Sequence, residues 1–273
     1  MKKWIPLSCA LLVHTLTYAA GTTPTDFTAT YQSVSALKKS LEKNGLKVLG
    51  THQVAGQKEY TTVIYTAPEL QKVAALPERG FAGIMRILVD EKAHQLVASN
   101  PEYYLRAFLQ KEYKDGLAQP LLDRLEKAFG KLTPTEDSLK TKKLEKYNFM
   151  MGMPKYGSFQ QVAKAESSKV LCEKLEARAK DRIVFKLKLN DEGSSVLYGV
   201  ALPKEIEQFN ETLNTMGHCQ LLPYTVWINK GKAQILHAKY YLALSFPRLS
   251  MKEFMKIMSV PGDIKEQFQS DFE

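Results

Sequence analysis

The chain has 273 residues and a formal net charge of +9, with 44% hydrophobic and 25% charged residues. This is the composition of a globular protein, long enough for one large domain or two of ordinary size. The positive excess suits anionic lipid, acidic glycan or an acidic protein, but its lysines are scattered and form no nucleic-acid-binding motif, which argues against a nucleic-acid role.

The N-terminus places Lys2 and Lys3 before an apolar stretch from Trp4 to Leu16, followed by small residues up to Ala19–Ala20. That layout predicts a secretory signal peptide over 1–20, cleaved after Ala19 or Ala20. A lipoprotein reading through Cys9 fails because the apolar stretch follows that cysteine. No later window reads as a transmembrane span. The expected location is therefore periplasmic or secreted, and export separates the protein from nucleic acid.

Beyond the signal, "DFTATYQ" (26–32) reads as a strand. "SVSALKKSLEKNG" (33–45) reads as an amphipathic helix, with Ser33 as N-cap and Gly45 as its stop. "LKVLGTHQV" and "YTTVIYT" form a strand pair around "AGQKE", and "TAPELQKVAAL" starts a helix at Pro68. "FAGIMRILV" and "AHQLVAS" flank the turn "DEK", and a longer helix is expected over about 111–130.

The second half repeats this order. "SSKVLCEKLEARAKD" is a helix, and "RIVFKLKL" and "SSVLYGVA" are strands around "NDEG". A helix begins near Pro203, "LLPYTVWI" and "AQILHA" flank "NKGK", and "SMKEFMKIM" closes the series as a helix. Pro68 and Pro203 stand 135 positions apart, Asp90 and Asn229 139, and Tyr103–Tyr104 and Tyr240–Tyr241 137. Agreement in order, punctuation and spacing predicts two tandem copies of one α+β unit, each an antiparallel sheet backed by helices. The expected division is 24–132 and 158–270, joined by a connecting helix and Met-rich joint over 133–157.

The run "YTTVIYTAPELQKVAALPERGFAGIMRILVDEKAHQLVASNPEYY" resembles the domain-of-unknown-function 302 family, in which a strand, a helix begun near proline and a strand hairpin lead to a proline-containing segment. Asn100–Pro101 has no counterpart before Tyr240, so the second copy departs from that pattern. The resemblance implies a small α+β domain with an antiparallel sheet, and no catalytic residues.

Several residues carry candidate chemistry. "YNFMMGMPKYG" packs Met150, Met151 and Met153 together, and thioether sulfur suits Cu(I), with His218 and Cys219 of "TMGHCQ" as further ligands. The competing reading makes this segment a packed joint that buries Phe149, Met150 and Met151, since unbranched methionine fills irregular gaps well. Met251, Met255 and Met258 have the spacing of a helix core face. Tyr103, Tyr104, Tyr240 and Tyr241 are placed to line an aromatic ligand groove between the copies, or to alternate between core and edge of a strand. Cys172 and Cys219 are the only cysteines beyond the signal and are expected to form a disulfide, against free thiols or metal ligation. His52, His94, His218 and His237 show no zinc spacing, and no hydrolase, phosphate-loop or dinucleotide motif occurs. The expected function is an exported, non-enzymatic binding or accessory module for an unknown small molecule or periplasmic protein. The alternative is a copper or redox accessory protein using the Met cluster and Cys219, and an enzyme with unrecognised residues comes third.

Overall fold

A computed structural model of the chain describes residues 21–273. The expected signal peptide lies outside the described residues. The first unit opens with strands β1 (Thr22–Pro24) and β2 (Asp26–Thr30). In helix α1 (Val34–Lys43), the Ser33 side chain accepts from the Ala36 N–H, and Leu37 and Leu41, one turn apart, form the buried stripe. Strands β3 (Lys47–Gln53) and β4 (Tyr60–Thr66) follow, then α2 (Pro68–Ala74), with proline at its first turn where no N–H is needed. A 3₁₀ turn (Gly80–Gly83) leads into the hairpin β5 (Met85–Asp90) and β6 (Gln95–Ser99), followed by α3 (Pro101–Leu109) and α4 (Gln119–Phe129). Helix α4 starts later than the expected 111–130, since Gly116 holds φ +82° and Pro120 suits only a first turn.

The segment between the units holds β7 (Thr133–Pro134), β8 (Ser138–Lys140) and the one-turn α5 (Thr141–Leu144). The second unit runs β9 (Gln160–Lys164), α6 (Ser168–Arg178), β10 (Ile183–Lys188), β11 (Ser195–Val200), α7 (Lys204–Glu207) and α8 (Phe209–Thr212). A 3₁₀ turn (Met216–His218) precedes β12 (Tyr224–Asn229) and β13 (Lys232–Ile235), then α9 (Ala238–Ser245), α10 (Met251–Lys256) and α11 (Val260–Ser270).

Both large sheets are antiparallel throughout and share one strand order. The first runs β3-β4-β5-β6-β2-β7 and the second β10-β11-β12-β13-β9. In each, the strand before the first helix returns to pair with the last hairpin strand: β2 with β6, and β9 with β13. β1 and β8 form a separate two-stranded sheet. The α+β class with antiparallel sheets is thus as the sequence predicts. Proline also marks equivalent helices, Pro68 at the start of α2 and Pro203 as the residue capping α7.

β4 and β5 are buried at every position, which matches their continuous runs of apolar and β-branched residues. α1 covers one side of the first sheet at β3 and β4, and the second unit packs against β5 through α9. The units also meet edge to edge, where β3 and β10 approach so closely that a Cβ on Gly50 would collide with the Val184 backbone. Among the described residues, no helix is long and apolar enough to cross a membrane.

Candidate functional site

The tyrosine pairs sit on helices, because Asn100 and His237 each cap a helix start with a side chain that accepts a backbone N–H two residues on. They meet at the centre of the joint between the units. Tyr103 OH donates to the Leu244 carbonyl at 2.7 Å, and Tyr240 OH donates to the Ala107 carbonyl at 3.4 Å. Tyr103 and Tyr240 are 137 positions apart, and so are Ala107 and Leu244. Each unit thus lends the same hydroxyl to the same carbonyl of the other, the reciprocity of a two-fold contact.

Tyr104 and Tyr241 lie alongside. Arg86 of β5 donates from Nη1 to Tyr241 OH at 2.9 Å and from Nη2 to the Pro223 carbonyl at 3.1 Å. Burial pushes all four tyrosine hydroxyls above their usual range. They are brought together as packed core, so the expected aromatic ligand groove is corrected to a structural contact. The gap beside Arg86 and Tyr241 measures only about 10 Å³, about the size of one water.

Two 3₁₀ turns cross the joint in opposite directions. From the first unit, Phe81 packs on Phe159 and Trp227 with ring centroids at 5.3 and 5.9 Å. From the second, the turn at 216–218 delivers His218, Cys219 and Gln220 to β2. Gln220 Nε2 donates to Asp26 Oδ1 at 2.6 Å, and His218 Nδ1 stands 3.9 Å from Asp26 Oδ2. Complete burial raises the Asp26 carboxyl to about 6, although His218, Thr25 and Gln220 all pull it down.

This crossing also decides the cysteines. Cys172 and Cys219 are free and buried, and the expected disulfide does not form. The strand entry does not pack on its own unit's first helix. Instead Phe81 reaches the opposite unit, and Cys219 likewise packs towards Tyr60 of the first unit, whereas Cys172 on α6 faces Tyr198. Burial raises both thiols above their ordinary value, which keeps them protonated.

Glu207 of α7 is the second buried carboxylate at the joint. It accepts from the Ala55 N–H at 2.7 Å and the Leu202 N–H at 3.1 Å, and His52 Nε2 lies 2.9 Å from both its oxygens. A carboxylate so surrounded by donors pins the loop after β3, where Ala55 holds φ +51°. Asp26, Arg86 and Glu207 escaped sequence reasoning. A charged residue inside an apolar strand, as in "GIMRILV", was the available signal.

Two clefts open at equivalent places along the joint. One, of about 780 Å³, lies between the β3–β4 and β5–β6 turns of the first unit and the end of α8. Its lining includes Glu59, Tyr60, Glu91, Lys92, Glu211 and Asn214. The other, of about 290 Å³, lies between the β10–β11 and β12–β13 turns and the end of α2. In the larger cleft Gln57 donates to Glu211, and Tyr31 OH donates to Glu91 at 2.6 Å. Its three carboxylates face one lysine, in a protein whose net charge is positive.

The Met-rich segment packs through its aromatics. Tyr147 OH donates to the Ala243 carbonyl, Tyr156 OH to the Glu78 carbonyl, and Phe149 stacks on Phe254 at 5.6 Å. Met150 is 45% and Met151 98% exposed, and Met153 is half-buried. The expected burial of Met150 and Met151 is therefore corrected. A turn from Met150 to Met153, closed by the Met153 N–H on the Met150 carbonyl, carries them outward. Nor does the expected ligand set share one environment, because this loop rests on α10 while Cys219 and His218 sit in the joint beside Tyr60 and Asp26. Among the described residues, no group of three or more His, Cys, Asp or Glu side chains stands ready to hold a metal ion. Compared with models of protein families, with curated proteins and with solved structures, the chain matches none.

Proposed function

We propose that this is an exported, non-enzymatic binding or accessory protein, made from a duplicated α+β unit of the kind that the 302 family resemblance implies. The equal strand orders and the reciprocal Tyr103 and Tyr240 hydrogen bonds support the duplication. The N-terminal residue pattern supports export to the periplasm or outside the cell.

The observation that carries the binding reading is the 780 Å³ cleft, which has the size of a small-molecule site and is built from both units. Its carboxylates Glu59, Glu91 and Glu211 select for a small polar ligand with a cationic group, such as an amine. The turns that frame it are anchored from beneath by Glu207, whose hydrogen bonds tie α7 to the loop after β3. A ligand bridging the units would meet a preformed wall on each side.

Native mass spectrometry of the protein purified from its own compartment tests this directly. An organic amine retained by the wild type and lost in Glu59→Gln, Glu211→Gln supports the reading. A library of amines and amino acids that leaves the melting temperature of the wild type unmoved, together with an empty mass spectrum, refutes it.

A further inference from the structure

Among the described residues, every exposed large apolar side chain except Leu76 is a methionine: Met150, Met151, Met251, Met255 and Met258. Met251, Met255 and Met258 have the spacing expected of a core face, yet α10 ends at Lys256, before Met258, and the three are 42, 56 and 64% exposed. Phe254 and Ile257 take the inward positions instead. Met251 and Met255, four residues apart, share one face of α10. The Phe149–Phe254 stack holds the loop bearing Met150 and Met151 against that same helix, so both sets of exposed methionines stand on or beside α10.

The charge around this face is mostly positive. A cleft of about 450 Å³ beside it is lined by Lys142, Lys143, Lys146, Tyr147, Phe149 and Pro247. Lys252 and Lys256 alternate with the methionines along α10. The lysine ion pairs among the described residues are Lys169–Glu173 and Lys186–Glu176, so none of these five lysines is in one. The nearby acids have other partners, and only Glu253 also feels one of these lysines, Lys256. Glu145 pairs with Arg106, Glu136 and Asp137 with Arg248, and Glu253 closes the capping box of α10 on Ser250, which lowers its carboxyl below the usual range.

We propose that this methionine and lysine face docks the protein on an anionic phospholipid bilayer. A thioether cluster also suits a soft cation, but the surrounding lysines repel any cation and attract phosphate. A side chain 98% exposed at a turn tip touches almost nothing of its own chain, which suits insertion between headgroups better than lining a groove. Flexible, polarizable methionines adapt to such a surface without a fixed partner shape. The lysine-lined cleft then receives a headgroup phosphate. This inference stands apart from the ligand reading of the carboxylate-lined cleft.

Co-sedimentation with vesicles tests it, using phosphatidylcholine alone and phosphatidylcholine with about one third phosphatidylglycerol. Binding is expected to the mixed vesicles only, and to weaken as salt rises. Met151→Asp with Met255→Asp should reduce it about tenfold, as should Lys142→Ala, Lys143→Ala, Lys146→Ala. The exposed triple Lys38→Ala, Lys39→Ala, Lys47→Ala controls for general basicity and should leave binding unchanged. Circular dichroism confirms that each variant is folded. No sedimentation with mixed vesicles overturns the proposal, as does equal loss in the control triple. A dimer seen by light scattering and abolished by Met151→Asp also overturns it, since the face would then serve self-association.

Discussion

Replacing Asp26 by asparagine should stabilise the protein at neutral pH and leave it unchanged in acid. The folded carboxyl is raised to about 6, against 3.8 for a carboxyl in water. Between these values the folded state holds a proton that the unfolded chain has released. Stability therefore falls as pH rises through this window, and the penalty is complete above the folded value. Two units of difference at 1.36 kcal/mol each give about 3 kcal/mol. Asparagine mimics the neutral acid. Its Oδ1 keeps the hydrogen bond from Gln220 Nε2, and its amide takes the place of the oxygen that stands 3.9 Å from His218. His218 attracts the carboxylate and Asp137 repels it, and the raised value of Asp26 already contains both effects. Urea unfolding of both proteins at intervals from about pH 4 to about pH 8 gives the two curves. They should meet at the acid end and separate by up to about 3 kcal/mol at the alkaline end. A variant less stable than wild type at the alkaline end, or two parallel curves, would refute the account of Asp26 as a desolvated acid.

Two further outcomes follow from the joint. Glu207→Ala leaves the Ala55 and Leu202 N–H groups without their acceptor and His52 without its partner, and should lower unfolding free energy by about 3 kcal/mol, with Glu207→Gln intermediate, in urea titration. Tyr103→Phe should cost about 1 kcal/mol and Tyr240→Phe only a few tenths, because the first hydroxyl donates at 2.7 Å and the second at 3.4 Å. Equal losses in the two tyrosine variants would mean that packing alone decides these positions.

What the sequence determined by itself is the set of elements that local chemistry controls. Ser33 and Ser167 cap helices because a hydroxyl can reach the N–H three residues on, and Pro68 fits a first helical turn wherever that helix lies. Runs such as "YTTVIYT" form buried strands, and the order of such elements sufficed to predict an α+β fold with antiparallel sheets. "QQVAK" was not legible as β9, since Val162 is its only buried residue and pairing with β13 makes it a strand. Periodicity predicts one helix face for Met251, Met255 and Met258, but α10 ends at Lys256 and periodicity is silent on which way its face turns. Only the packing of Phe254 and Ile257 sends the methionines to solvent. The buried charges were hidden for the same reason. Asp26 finds Gln220 194 residues away, Arg86 finds Tyr241 at 155, and Glu207 finds Ala55 at 152. A charge can be buried only where its partner arrives, and these partners arrive from the opposite unit, so the docking of the two sheets decided them.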